Sequence, residues 1–473
     1  MKRFDLCVIG SGPGGEKAAV QAAKLGKSVC VVEARDRMGG VAVNTGTIPS
    51  KALREMIRRL VGATAVSPEM RDSVVAFRPE TMKRLWGDYE QIVRDEGQLV
   101  HEHLVSNGVA SLAGTARFVD ANVVEVARPD GTIETVQADF VLIAVGTEPT
   151  RPEGIPFDHE NVITTDELLL LDRLPHSMII VGGGVIGTEY ASMLALLGIR
   201  ITLVEGRDRL LEFADSELVE ALQFHLRREG VTLRLGEKLV RIETRPADPG
   251  SRSEDGTTAE AILESGKRLH ADCILYCIGR QGATLRLGLE NIGLEADSRG
   301  RITVDASFRT KVPNVFAVGD VIGFPALAST SMDQGRIAAC NMFGVASASV
   351  GRLLPFGIYS VPEISMVGSN EGELTAAGVP YECGIARYSE IARGKILGDE
   401  TGMLKLIFHA ETRALLGVHA IGTGATELVH VGQAVMAFDG KIDYFVDTVF
   451  NYPTLAECYK VAAFNGLNRL RDV

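Results

Sequence analysis

Phe4-Asp-Leu-Cys-Val-Ile-Gly10-Ser-Gly-Pro-Gly-Gly15 opens this chain, and its continuation to Glu33 decides what kind of fold follows. Residues 4–9 form a short apolar run suited to a strand buried on both faces. Glycines 10, 12 and 15 then fall at the G-x-G-x-x-G spacing; residues 18–25 read as a helix, and residues 28–32 as a second strand ending in Glu33. Gly10 makes the tight turn, Gly12 lets the backbone approach a pyrophosphate at the helix N-terminus, and Gly15 lets helix and strand touch. Pro13 and Gly14 complete the turn. Glu33, at the strand tip, can accept hydrogen bonds from ribose hydroxyls, with Ala34 and Arg35 directly behind it. A flexible glycine turn would need none of these flanking elements. Together they predict a bound dinucleotide.

The unit recurs. Residues 178–181 read as a strand, and Gly182-Gly-Gly-Val-Ile-Gly187 repeats the pattern with glycines at 182, 184 and 187. A helix is predicted over 185–197, then a strand over 200–204 ending in Glu205. Two such units imply two dinucleotides held together, so that electrons can pass between them. Glu205 should accept from a 2′-hydroxyl and repel a 2′-phosphate. Arg207 and Arg209 either pair with that phosphate or are solvated loop residues. NAD is favoured here and NADP stays open.

With 473 residues the chain should hold two or three domains. A hydrophobic content of 46% and 51 glycines suit an α/β protein with many tight strand-to-helix turns. The formal charge of −12 leaves no basic footprint for nucleic acid or anionic lipid. Met1-Lys-Arg-Phe-Asp runs directly into a strand, so neither a signal peptide nor a membrane span is expected. Seven scattered cysteines favour reduced thiols and a cytoplasmic protein. Cys273 and Cys277 share an extended apolar run, too far apart on a strand to bond, and read as core. No metal site is expected.

Between the units, residues 78–106 read as a long surface helix, Gly114-Thr-Ala116 as a hairpin-like turn, and residues 140–144 as a strand entering Val145-Gly146-Thr147. Prolines 149, 152 and 156 mark a linker. Residues 245–260, rich in Pro, Gly, Ser, Asp and Glu, read as an exposed loop, and residues 273–276 as a buried strand turning at Gly279. From about Gly351 strands alternate with two helices, over 426–438 and 455–467, and no fingerprint appears.

Gly39-Gly-Val-Ala-Val-Asn-Thr-Gly-Thr-Ile-Pro-Ser-Lys51 resembles the flavin-facing segment of the pyridine nucleotide–disulfide oxidoreductases, Gly-Gly-x-Cys-x-x-x-x-Cys-x-Pro-x-Lys. Thr310-Lys-Val-Pro-Asn-Val-Phe-Ala-Val-Gly-Asp320 resembles that family's second flavin motif, and the resemblance extends over essentially the whole chain. It implies an α/β fold: two Rossmann-like domains, for FAD and NAD(P), and a C-terminal α+β dimerisation domain. The expected boundaries are 1–150 and 281–349 for FAD, 151–280 for NAD(P) and 350–473 for a homodimer interface that completes the partner's site. It also implies cofactor contacts at Gly40, Val41 and Thr45, at the turns carrying Thr115, Ala116, Ala144, Gly146 and Gly279, and at Gly319 and Asp320 beside the ribityl and phosphate groups. Leu327 and Ala328 begin a helix whose start can face the isoalloxazine ring.

Mechanism turns on departures from that pattern. The two cysteine positions hold Ala42 and Thr47. The family's His-Pro-Thr-x-x-Glu reads Tyr452-Pro-Thr-Leu-Ala-Glu457, and a phenol, with an ordinary pKa of about 10, cannot act as a base at neutral pH. Reduction of glutathione, dihydrolipoamide or mercuric ion by the family route is therefore excluded. Lys51 and Glu189 match the family's ion pair beside the flavin N5 and are the expected catalytic residues. The nicotinamide entrance is intact and the thiol exit is closed. Gly46-Thr-Ile-Pro-Ser-Lys-Ala-Leu-Arg54 and Phe450-Asn-Tyr-Pro-Thr-Leu-Ala-Glu457 look like the soluble, Si-specific transhydrogenase branch, which often keeps the first cysteine that this chain lacks. The leading expectation is hydride transfer between NADP(H) and NAD(H) through FAD. The alternatives are a diaphorase that reduces a quinone, which Glu205 favours, and a catalytically silent flavoprotein.

Overall fold

The computed structural model describes residues 2–64, 79–171, 174–246, 257–347 and 349–470, with only the backbone described for 62–64 and 79–86. Its first sheet has seven strands. Ala110–Ala113, Val29–Glu33, Lys2–Ile9 and Ile133–Ile143 run parallel in that order, and Val315–Ala317 joins in parallel against Ile133–Ile143. Val123–Ala127 and Thr115–Asp120 continue the sheet antiparallel. The near-continuous apolar runs follow from burial on both faces. Leu6 and Val8 pack with Ala18, Ala19 and Ala22 of the helix Pro13–Lys24. Cys7 and Ile9 face the opposite layer with Val124, Val126 and Val136.

Both fingerprints fold the same way. Gly10 has φ +103° and Gly182 has φ +113°, which L side chains rarely adopt. A Cβ on Gly15 would lie 1.9 Å from the Gly10 carbonyl oxygen, and one on Gly187 would lie 1.9 Å from that of Gly182. Each helix therefore rests on its own turn. The second unit is a five-stranded parallel sheet in the order Thr232–Leu235, Arg200–Glu205, Ser177–Val181, Cys273–Tyr276, Val162–Ile163. Thr147–Pro149 pairs with Arg280–Gly282, so the chain's two crossings between the units lie side by side.

The C-terminal region is a five-stranded antiparallel sheet carrying the helices Ala425–Ala437 and Glu457–Arg469 around one core. Among the described residues no helix is long and apolar enough to cross a membrane.

Two expectations are corrected. Gly114 does not close a hairpin. It joins Ala110–Ala113, at the edge of the parallel sheet, to Thr115–Asp120, which pairs with Val123–Ala127. Its N–H donates to the Glu33 carbonyl at 2.8 Å, which brings Thr115 to the first fingerprint. Nor is 245–260 a loop throughout. Residues up to Pro246 and from Thr257 belong to antiparallel strands, because apolar Ile242, Ala259 and Ala261 alternate into a core beneath the polar residues. Residues 247–256 lie outside the described residues, as does Arg78 at the start of the expected surface helix, observed as Pro79–Ser106.

Candidate active site

The first fingerprint opens on a cavity of about 480 Å³. Its near wall is Gly10, Gly12, Pro13 and Gly14, with Glu33, Ala34 and Arg35 at one end and Gly40 and Val41 above. Thr115, Ala116, Ala144 and Gly146 form a second wall, and Gly319, Asp320 and Ala328 a third. Gly15, Thr45, Lys51 and Leu327 do not line it. A Cβ on Gly12 would meet nothing within 4 Å, so that glycine faces open space. Gly12 caps the helix without a side-chain bond, which leaves the first-turn N–H groups directed at the cavity.

Gly319, Asp320 and Ala328 of the third wall were expected from the resemblance, but the contact that brings them there was not. Helix Ala328–Met342 crosses the fingerprint helix so closely that a Cβ on Gly335 would lie 2.0 Å from the Gly14 carbonyl oxygen. That contact carries the start of the later helix to the cavity. Burial raises the Asp320 carboxyl above its ordinary value, against the opposing pull of Arg280 and a hydrogen bond from Thr147. Arg280 donates from Nε to the Thr147 hydroxyl at 2.9 Å. A half-buried carboxylate beside an anion-binding helix terminus calls for a hydroxyl donor, as the ribityl chain of FAD would supply. The cradle therefore fits FAD on its own geometry.

Glu33 is already engaged. Its carboxylate accepts from Ser11 N–H at 3.0 Å, from Ser11 Oγ at 2.5 Å and from Arg35 N–H at 2.9 Å. It braces the turn and keeps one lone-pair position for a ligand hydroxyl.

The two expected catalytic residues meet across the chain. Lys51, on helix Thr47–Thr64, donates from Nζ to Glu189 at 2.9 Å (Oε2) and 3.1 Å (Oε1). Glu189 sits on helix Val185–Leu196, in the second unit, with a side chain only 4% exposed. Sequence reasoning missed what completes the pair. Tyr359 N–H donates to Glu189 Oε1 at 2.8 Å, and the Tyr359 ring centroid lies 5.0 Å from Lys51 Nζ. One turn further along the Lys51 helix, buried Arg54 donates to the Ser360 carbonyl at 3.0 Å and to Glu363 at 3.1 Å. Burial holds the Arg54 guanidinium below its ordinary range, and Glu363 opposes that shift. The 359–363 segment thus clamps both helices. No local pattern announces a contact between residues some three hundred positions apart.

Ala42 and Thr47 line the cavity where the resemblance would place thiols, and the seven cysteines are all free. Tyr452 is 69% exposed. Glu457 Oε2 is buried without a hydrogen-bond partner among the described residues, consistent with a carboxylate that has lost the imidazole it would orient.

In the second unit Gly184 meets nothing within 4 Å, and its helix likewise lacks a side-chain cap. Gly279 lies just beyond Cys277, whose carbonyl group would lie 3.1 Å from a Cβ on Gly182. Glu205 is not the free acceptor expected from sequence. It accepts from Gly183 N–H at 2.6 Å, from Arg207 N–H at 2.9 Å, and from Arg207 Nε and Nη2 at 3.0 Å each. Those donors, Arg207 foremost, hold its carboxyl below the ordinary value despite burial. Arg209 turns away and donates to the Glu212 carbonyl.

Residues 4–335 match the family described as pyridine nucleotide-disulphide oxidoreductase, and residues 354–463 match that family's dimerisation domain. The chain is 50% identical to the soluble pyridine nucleotide transhydrogenase of Mycobacterium tuberculosis, over 100% of this chain and 98% of the relative. It is 45% identical to the protein of the same name from Yersinia pestis, over 99% of this chain and 98% of the relative. Among solved structures, the HOCl-induced flavoprotein disulfide reductase RclA from Escherichia coli, as its Cu(II) complex, superposes with a TM-score of 0.86 at 25% identity, covering 98% of this chain and 99% of that one. LpdA from Mycobacterium tuberculosis shares the fold with a TM-score of 0.86 at 24% identity, covering 98% and 99% of the two chains.

Proposed function

The chain belongs to the pyridine nucleotide-disulphide oxidoreductase family, and on that premise we propose that it transfers hydride between nicotinamides, NADPH + NAD⁺ ⇌ NADP⁺ + NADH, with FAD as its resident cofactor. The observation that carries this reading is the intact Lys51–Glu189 pair one helical turn from a cavity whose thiol positions hold Ala42 and Thr47. When bound, FAD supplies a two-electron centre that takes a hydride from a reduced nicotinamide and returns it to an oxidised one. The chain's own residues do the rest. The turn at Gly10 to Gly14 would receive the pyrophosphate, and Asp320 would accept from a hydroxyl of the ribityl chain. Glu189 fixes Lys51 in one position, and Tyr359 holds both ends of the pair. The Lys51 ammonium, one turn along its helix from the cavity-lining Thr47, would offset negative charge on the reduced cofactor. With Ala42 and Thr47 at the two motif positions, neither carries a thiol to take electrons onward, so a second nicotinamide is the natural acceptor.

The quinone-reducing alternative drew on Glu205 as an anion facing the 2′-position. Arg207 offsets that charge, so no specific observation now favours it. We assign 1–150 and 281–349 to FAD, 151–280 to the nicotinamide, and 350–473 to a homodimer interface in a cytoplasmic protein.

Anaerobic stopped-flow tests the reading. NADPH and, separately, NADH should each bleach the flavin absorbance, and a thio-nicotinamide analogue should restore it. The reading is refuted if the purified protein passes no hydride between two nicotinamides at any pH tested.

A further inference from the structure

A transhydrogenase that uses one nicotinamide site must accept adenosine riboses with and without a 2′-phosphate in alternate half-reactions. That requirement rests on the function proposed above. An acid that binds a 2′-hydroxyl ordinarily rejects a 2′-phosphate. The ion pair at the end of the strand Arg200–Glu205 offers a way out of that conflict.

A carboxylate has about four lone-pair sites, and all those of Glu205 are used. Two donors are backbone N–H groups, of Gly183 and Arg207, fixed by the fold. The other two come from the Arg207 guanidinium, one to each oxygen, and these alone can be withdrawn by rotating a side chain. The exposures agree: the Arg207 side chain is 46% exposed and that of Glu205 only 8%. When Arg207 leaves, each oxygen recovers one acceptor site, which matches the adjacent 2′- and 3′-hydroxyls of an unphosphorylated ribose. The freed fork is itself a bidentate partner for a phosphate. Glu212, with Oε2 3.6 Å from Arg207 Nη1 while the guanidinium rests on Glu205, is a second carboxylate within reach of the same side chain.

We propose that Arg207 is an exchangeable counter-ion that makes the second dinucleotide site dual-specific. Turned away, it exposes Glu205 to the ribose diol of NAD(H). Turned toward the ligand, it binds the 2′-phosphate of NADP(H). Glu205 then keeps its two backbone donors, which hold it in place while the phosphate pairs with the arginine.

Calorimetric titration of the yellow holoprotein with 5′-AMP and with 2′,5′-ADP tests this without turnover. Wild type should bind both. Arg207→Met should weaken 2′,5′-ADP roughly 10- to 100-fold, the loss expected of a charge-assisted contact. It should leave 5′-AMP unchanged or tighter, because Glu205 is then free. Arg207→Lys should fall between, since it keeps the charge and loses the fork. Equal weakening of both ligands by Arg207→Met would mean a structural role and overturn the proposal, as would undiminished binding of 2′,5′-ADP. If wild type bound neither fragment, the second unit would not be a nicotinamide dinucleotide site, and the function proposed above would fail with it. In the two preceding outcomes only the switch fails.

Discussion

Lys51 and Glu189 should be energetically coupled, and unequally. In Lys51→Met the stem volume is kept and the ammonium removed. Glu189, 4% exposed, is left buried with the Tyr359 N–H at 2.8 Å as its remaining described donor. Stripping the partner from a buried charge costs about 3–5 kcal/mol. Glu189→Gln is milder. Lys51 is 27% exposed, retains Ser50 Oγ at 3.1 Å and the Tyr359 ring at 5.0 Å, and the new amide oxygen still accepts from Tyr359. Its cost should be about 1–2 kcal/mol after allowing for that solvent access. The double variant removes both charges and should fall short of the sum by about 2–3 kcal/mol. Urea midpoints and slopes, measured on all four proteins at matched flavin content, give the cycle. Both single variants should also slow flavin bleaching by NADPH. Additive single effects, or a Glu189→Gln cost equal to that of Lys51→Met, would refute the reasoning.

Two glycines of one turn should separate folding from binding. Gly15→Ala places a methyl 1.9 Å from the Gly10 carbonyl oxygen and should cost about 2 kcal/mol or more in the apoprotein. Gly12→Ala meets nothing within 4 Å at φ −61°, so it should leave the urea midpoint alone while weakening FAD retention about tenfold or more. A pH dependence follows from His419, which is 1% exposed with Nε2 3.0 Å from the Ser369 carbonyl. Burial pushes its pKa below the ordinary value. Its contribution is therefore complete above the unfolded value of about 6.5 and is lost as pH falls through the folded one. His419→Gln should flatten the fall in urea midpoint below about pH 6.5, and an unchanged slope would count against this assignment.

The sequence by itself determined both nucleotide turns, because a G-x-G-x-x-G turn is set by backbone conformations within six consecutive residues. It likewise determined which chemistry is missing, since a thiol or imidazole absent at a motif position cannot be supplied by folding. Only the tertiary structure decided what each charge does. Glu205 and Arg207 were read as rivals for a ligand and turned out to be partners of each other. Glu33 was read as a ribose acceptor and is largely occupied bracing Ser11. Tyr359 and the Arg54–Glu363 pair had no signal at all, although they tie the helices of Lys51 and Glu189 to the 359–363 segment. A motif places a side chain, whereas its charge and hydrogen-bonding capacity are settled by whichever donors and acceptors the fold brings within about 3 Å. Those partners come from segments whose separation along the chain is invisible to any local pattern.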